Sequence, residues 1–380
     1  MKAKLIIVSQ APLTPQIRRN TYVEEYIRMG YDTQFWDLSQ IIHPGIKICD
    51  EEYNNFLSYI HDLSELEDMI VQSNYTNSIF IFDFDPAWKT HNIFKLFYKY
   101  NCYCIRIDMY ANTSLKRHKN TSIALKIRKV FSSTGLNVLK WKFKTLSYKL
   151  YSSYFCPFHF KKILSSSRFS VRTDYINHPD YDLYKRNEEK TDIKTPYILF
   201  VDTYFGCHPD LKYYHNIKSK INVDAYYKSL NSYFDFIEDK YSMPVIIAAH
   251  PKAQYDINVF GNRQIIKYQT MPLIKQAEYV VAQVCNTFSW IVLADKPVAL
   301  IATDEYMKLY NLKRGIQLLS ETLNIKIHNI DKCRYDDVCF EKINNKDRLS
   351  YIYGYLTCKE TENKFNRDIL NELFSNIVFQ

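Results

Sequence analysis

Short apolar runs of strand length alternate with helix-length amphipathic stretches along this chain, and the alternation starts twice. In the first half, 5–9 reads as a buried strand and 17–29 as a helix opened after Pro15 and closed by Gly30. A second strand follows at 33–36, then a helix at 62–72, strands at 78–82 and 103–107, and a helix at 93–100 between them. The pattern resumes with strands at 197–201, 245–249, 279–282 and 298–302 and helices at 225–241, 271–277 and 288–294. Parallel strands need crossover connections, so this order predicts α/β architecture with parallel sheets covered by helices.

The 380 residues suit two domains at about 100–200 residues each. The boundaries read as 1–176 for the first and 196–345 for the second, joined by a charged stretch without periodicity at 177–195. The remaining 346–380 is helical, placed to pack back on the first domain. Seven glycines are few, and neither GxGxxG nor GxxxxGK[ST] occurs, which excludes a glycine-cradled dinucleotide or P-loop site.

The nine cysteines are odd in number, irregularly spaced and without CxxC or zinc-ligand spacing, which suits a reducing compartment. The apolar run 5–8 is too short for a signal peptide, and the uncharged run 279–294 is too short and too polar for a membrane span. A cytoplasmic location is the expectation.

The net charge of +9 is concentrated. From 109 to 173 there is no acidic residue, while fourteen lysines and arginines fall there, more than the whole chain's excess. Within 116–172 apolar residues recur at helical spacing: Ile123, Ile127, Val130 and Phe131, then Leu139, Phe143, Leu146 and Leu150, with Trp141 nearby. A basic amphipathic helix of this kind suits an anionic membrane surface. A solvated helical hairpin whose stripe is simply core stays open beside it. Nucleic acid is the weakest of the three, because no nucleic-acid motif accompanies the charge.

Ligands of open parallel sheets sit beyond the carboxyl ends of strands. Four such ends in the second half carry polar residues: Asp202-Thr203-Tyr204 leading to His208-Pro209-Asp210, His250-Pro251-Lys252, Asn286-Thr287 with Ser289, and Thr303-Asp304-Glu305. His250 can donate to a phosphate oxygen, with full charge assistance as imidazolium, and Pro251 fixes the backbone behind it. Lys252 and Arg263 can add positive charge. Asn286 or Thr287 fits a helix N-cap beyond which exposed amides favour an anion. A satisfied strand-end histidine and a cap without a ligand are the bland readings of the same residues. In the first half, strand ends carry Asp83, Asp85 and Asp108 as candidate bases. Asp83-Phe84-Asp85 can place two carboxylates on one side of an extended chain, but Asp85-Pro86 also starts a turn, and no metal is expected.

The run from Val245 to Lys252, VIIAAHPK, resembles the HP motif of bacterial sialyl-, polysialyl- and Kdo-transferases of the GT-B class. Asn286-Thr287-Phe288-Ser289 and then Lys296-Pro297-Val298 follow in the families' order, and 197–306 also resembles surface-polysaccharide biosynthesis proteins. The likeness covers under a third of the chain. It implies two Rossmann-like domains facing a cleft, with the donor's phosphate and nucleotide held by the second and a base supplied by the first. It further implies inverting, metal-independent transfer, without a cofactor, from a nucleotide-sugar to a glycan or lipid-linked acceptor of capsule or lipopolysaccharide O-antigen. The HP motif favours a CMP-sugar. Where those families show consecutive Ser/Ser/Thr hydroxyls, this chain has Cys285-Asn286-Thr287, which leaves nucleoside-diphosphate sugars open. Asp108 loosely resembles the Asp of a strand-end Asp-Asp-Gly in the sialyltransferases, with Met109-Tyr110 in place of the rest. A nucleotide-sugar epimerase, a polyol-phosphate transferase or a non-catalytic glycan-assembly subunit are the alternatives.

Overall fold

The computed structural model describes residues 3–45, 52–109, 112, 115, 133–186, 191–208, 221–255 and 258–377, with the side chains of 133–142 outside that description. The first sheet contains β1 (Lys4–Ser9), β2 (Thr33–Asp37), β3 (Leu57–Tyr59), β4 (Ser78–Phe82), β5 (Tyr103–Asp108), β6 (Lys162–Ser165) and β7 (Asp174–Tyr175). Its order is β3-β2-β1-β4-β5-β6-β7, parallel throughout. The second contains β8 (Ile198–Val201), β9 (Val245–Ala249), β10 (Ile265–Lys267), β11 (Tyr279–Ala282), β12 (Val298–Ala302) and β13 (Ile327–Asn329). Its order is β10-β9-β8-β11-β12-β13, again parallel. The chain is thus α/β with two parallel sheets.

Strands covered on both faces read as unbroken apolar runs, and the side-chain period of two splits each run between two cores. Leu5, Ile7, Phe35, Ile79, Ile81 and Ile105 share one core of the first sheet. Ile6, Val8, Trp36, Phe80, Phe82 and Cys104 share the other with Phe94 and Phe97. The helix Asn366–Ser375 adds Leu370 and Phe374 to the first of these cores, the Phe374 ring lying edge-on to Tyr26 at 5.6 Å and to Tyr31 at 5.8 Å.

Three stretches differ from the sequence expectation. The helix expected over 17–29 is two short ones, Pro15–Asn20 and Val23–Arg28. Thr21 Oγ1 donates back to the Ile17 carbonyl, and Tyr22 takes a left-handed φ of 61°, which ends the first before the second begins. The stretch expected to be a periodless linker holds a helix, Pro179–Arg186, with Asp180 and Asp182 in its first turn and Lys185 and Arg186 in its last, an arrangement that suits the helix dipole. The segment 116–172 is not helical throughout: after the helix Ser133–Phe155 it contributes β6. Residues 116–132, with the candidate stripe Ile123, Ile127, Val130 and Phe131, lie outside the described residues.

Among the described residues no helix is long and apolar enough to cross a membrane, and every cysteine is a free thiol.

Candidate active site

Each sheet reverses its strand progression once, between β1 and β4 in the first and between β8 and β11 in the second. Loops leaving neighbouring carboxyl ends at such a reversal run to opposite sides, which opens a crevice. The two carboxyl edges face each other. Asn112, beyond β5, donates through Nδ2 to the Asn286 carbonyl beyond β11 at 2.7 Å. Arg19, in the helix after β1, lies over the Trp290 ring at 5.7 Å.

His250 directly follows β9. Its Nδ1 accepts from the Lys252 amide at 3.1 Å, so the neutral ring carries its proton on Nε2, which stands 3.1 Å from Nε2 of His208. Burial, helped by His208, Lys252 and Lys267, pushes the His250 imidazole down to about 3. His250 is therefore a neutral Nε2–H donor at pH 7, able to donate to a phosphate oxygen but without the charge assistance of an imidazolium, because a desolvated ring among cations does not hold a second proton.

Among the described residues, positive charge at this edge comes from Lys252 and from Lys267, the last residue of β10, whose Nζ donates to the Pro251 carbonyl at 3.3 Å. Arg263 does not join them. It precedes β10, at the opposite end of the sheet, and its guanidinium pairs with Asp235 at 2.5 Å and Glu238 at 2.6 Å.

Asp202 directly follows β8 and is buried, its Oδ2 accepting from the Tyr255 hydroxyl at 2.5 Å. Burial pushes this carboxyl up to about 6, opposed by Tyr255 and by the amides of Tyr204 and Thr203. Tyr204 in turn donates its hydroxyl to the Gln254 carbonyl at 3.0 Å. The loop that carries His250 is thus fastened at its far end, 254–255, to the loop beyond β8. Asp202 faces that loop from within.

The turn after β11 is sewn into the protein. Ser289 Oγ donates to the Asp180 carboxylate, and Trp290 Nε1 donates to the Asp180 carbonyl at 3.1 Å. Thr287 holds the N-cap position of the six-residue helix Phe288–Leu293 in αR geometry and makes no side-chain cap bond; its Oγ1 lies 3.2 Å from Cys285 Sγ. The Asn286 side chain is exposed. β8 separates β9 from β11, so His250 and this turn stand roughly 10 Å apart along the edge. At the fourth strand end, Thr303 caps the helix Asp304–Lys308, while Asp304 pairs with Lys332 at 2.5 Å and Glu305 with Lys308 at 2.5 Å.

Across the cleft, Asp83 follows β4 at the first reversal. Its Oδ2 accepts from Ser9 Oγ at 2.7 Å and its Oδ1 from the Gln10 amide at 3.2 Å, both just beyond or at the end of β1. Burial pushes the Asp83 carboxyl up to about 6 against those two hydrogen bonds. Asp85 turns elsewhere, to Arg106 at 2.6 Å, with its side chain 63% exposed. Asp108 Oδ2 accepts from Ser165 at 2.9 Å and Ser170 at 3.1 Å. The three candidate bases therefore have different partners. Among the described residues no three His, Cys, Asp or Glu side chains cluster to hold a metal ion.

Sequence reasoning missed Lys267, at the end of a three-residue strand that carries no periodicity, while His208, read with the first strand end, stands beside His250. It also missed Asp180 as partner of the 286–289 turn. Beside that contact, a cavity of about 280 Å³ is lined by Arg18, Arg186, Glu25 and Glu52 among others. Those charges are paired with one another, Arg18 with Glu52 at 3.2 Å and Arg186 with Glu25 at 2.7 Å.

No family model matches the chain, and no curated protein matches it. Among solved structures it is similar in layout to the glycosyltransferase SnogD of Streptomyces nogalater, with 8% identity over 99% of this chain and 100% of that one and a TM-score of 0.49. It is similar also to S. aureus MnaA solved with UDP, with 11% identity over 99% of this chain and 98% of that one and a TM-score of 0.47. A third is MurG of Acinetobacter baumannii, with 7% identity over 98% of this chain and 100% of that one and a TM-score of 0.46. At this level of likeness the functional reading rests on the chain's own residues.

Proposed function

We propose that this protein is an inverting glycosyltransferase of the GT-B kind that moves a sugar from a nucleotide-activated donor to a surface-glycan acceptor. One observation carries the reading. A hydrogen-bond-donating His250 with Lys252 and Lys267 stands at the carboxyl edge of one sheet, and a half-buried carboxyl poised near 6, Asp83, stands at the carboxyl edge of the sheet it faces. Asp83 takes the proton of the acceptor hydroxyl, whose oxygen attacks the anomeric carbon. The bond to phosphate breaks as the glycosidic bond forms, and the nucleotide leaves with both electrons. His250 Nε2–H, the two lysines, the Asn286 amide and the Thr287 hydroxyl receive the charge that develops on the leaving phosphate.

The order of the HP, turn and Lys-Pro elements favours a CMP-sugar, and an acceptor of the capsule or O-antigen type at the cytoplasmic face of the membrane. The test is release of free nucleotide from CMP-, UDP-, GDP- and CDP-activated sugars with and without a glycan acceptor. Acceptor-dependent release that is lost in both Asp83→Asn and His250→Ala supports transfer. Conversion of the donor sugar without an acceptor points to an epimerase, and no turnover of any donor would sink the enzymatic reading.

A further inference from the structure

Among the described side chains, the helix Ser133–Phe155 rests on the first lobe by an aromatic face. Tyr148 is buried and lies edge-on to Trp88 at 5.4 Å, and Tyr151 packs on Trp88 at 4.9 Å and on His91 at 5.1 Å. Trp88 Nε1 donates to the Lys144 carbonyl at 3.1 Å, which fixes the rotation of the helix about its axis. That rotation turns a second set of apolar side chains outward. Phe143 is 74% exposed, Leu146 56%, Leu150 60% and Tyr154 86%. Their spacing puts all four on one stripe, roughly 100° around the axis from the seating face. A stripe that belonged to the core would be covered, and scattered exposed apolar residues would not align.

Its surroundings say what covers it. Lys144 and Lys149 are exposed beside the stripe, and no Asp or Glu occurs anywhere from 109 to 173. A second copy of the chain would bring two like-charged faces together. We propose that the stripe Phe143, Leu146, Leu150 and Tyr154 lies in the interface of an anionic lipid bilayer, with the neighbouring lysines on the headgroups. This deepens the proposed transfer to a membrane-borne acceptor by naming the surface that holds the enzyme there, yet it is read by binding and not by turnover.

The full-length protein is sedimented with vesicles of phosphatidylglycerol and, separately, of phosphatidylcholine, at low and at 0.5 M salt. The expected result is partition onto the anionic vesicles at least about tenfold stronger than onto the neutral ones and weakened by salt. The double substitution Leu146→Ser, Leu150→Ser is expected to weaken it about tenfold or more, as is Lys144→Glu, Lys149→Glu. All four positions are exposed, so unchanged thermal melting shows that the fold persists. Equal partition of the parent and both double variants overturns the proposal, as does failure of the parent to bind the anionic vesicles. So does loss of self-association in the leucine variant by light scattering, or oligonucleotide binding that the lysines support and the leucines do not. Loss of vesicle binding with nucleotide release intact, or the reverse, separates this surface from the active site.

Discussion

Nε2 of His250 and Nε2 of His208 stand 3.1 Å apart, with the Lys252 amide fixing the His250 proton on that same nitrogen. His208 thereby occupies the position from which a donor phosphate would accept. Because burial keeps His250 near 3, donor affinity is expected to show no titration step around 6.5, the ordinary histidine value. His250→Ala is expected to weaken donor binding about tenfold to a hundredfold, while His250→Gln, which keeps an N–H at a similar reach, stays within about fivefold. Calorimetric titration from pH 5.5 to 8 reads both. A tenfold change in parent affinity centred near 6.5 would mean that the ring binds as imidazolium.

Asp83 must be ionised to accept a proton. Its folded value is raised to about 6, so kcat/KM rises through about pH 6 and is lost as the pH falls below it. Asp83→Asn is expected to lower kcat about a hundredfold or more with donor affinity kept. Asp108→Asn, whose carboxylate is held by Ser165 and Ser170, is expected to cost less in kcat. Greater loss from Asp108→Asn would transfer the base role.

Ser289 was a candidate phosphate ligand by sequence, but its hydroxyl is committed to Asp180. Ser289→Ala leaves a buried carboxylate short of a donor, which costs about 1–3 kcal/mol of stability. Urea unfolding is expected to report that loss, while donor affinity changes less than about twofold. Intact stability with weakened donor binding would restore Ser289 to the phosphate site.

Asp202 titrates near 3.9 when unfolded and near 6 in the folded protein, where burial disfavours its charge. The folded state binds this proton more tightly. The stability it gains is complete below the unfolded value and disappears as the pH rises through about 6. Asp202→Asn removes that dependence, so the variant's stability relative to the parent should improve by about 1–2 kcal/mol between pH 5 and pH 8. Denaturant melts at the two pH values check it, and a parallel response of parent and variant would contradict it.

The alternation of apolar runs was enough to place β1, β2, β4, β5, β8, β9, β11 and β12, since strands buried on both faces are apolar throughout. It missed β3, β6, β7, β10 and β13, which have two to four residues and partly polar, partly exposed positions. His250, Lys252, Asn286 and Thr287 were legible because they follow strong strands. Lys267 was not, because β10 is an edge strand of three residues with Ile265 exposed. Arg263 was misplaced for the same reason: without β10 in view, its loop has no assignable end of the sheet. The helix Pro179–Arg186 escaped notice because its buried face includes Asp180 and Asp182, satisfied by Ser289, Arg186 and the Asn366 amide, partners far along the chain except for Arg186.

The central claim is that the carboxyl edge of the second sheet holds a nucleotide's phosphate. Thermal melting of the parent and of His250→Ala with CMP, UDP, GDP and CDP tests it most directly. At a hundredfold excess over Kd, one of these nucleotides should add about 2.7 kcal/mol to the parent, a rise of a few degrees in Tm, and that rise should shrink or vanish in His250→Ala. An equal rise in both proteins, or none with any nucleotide, contradicts the claim.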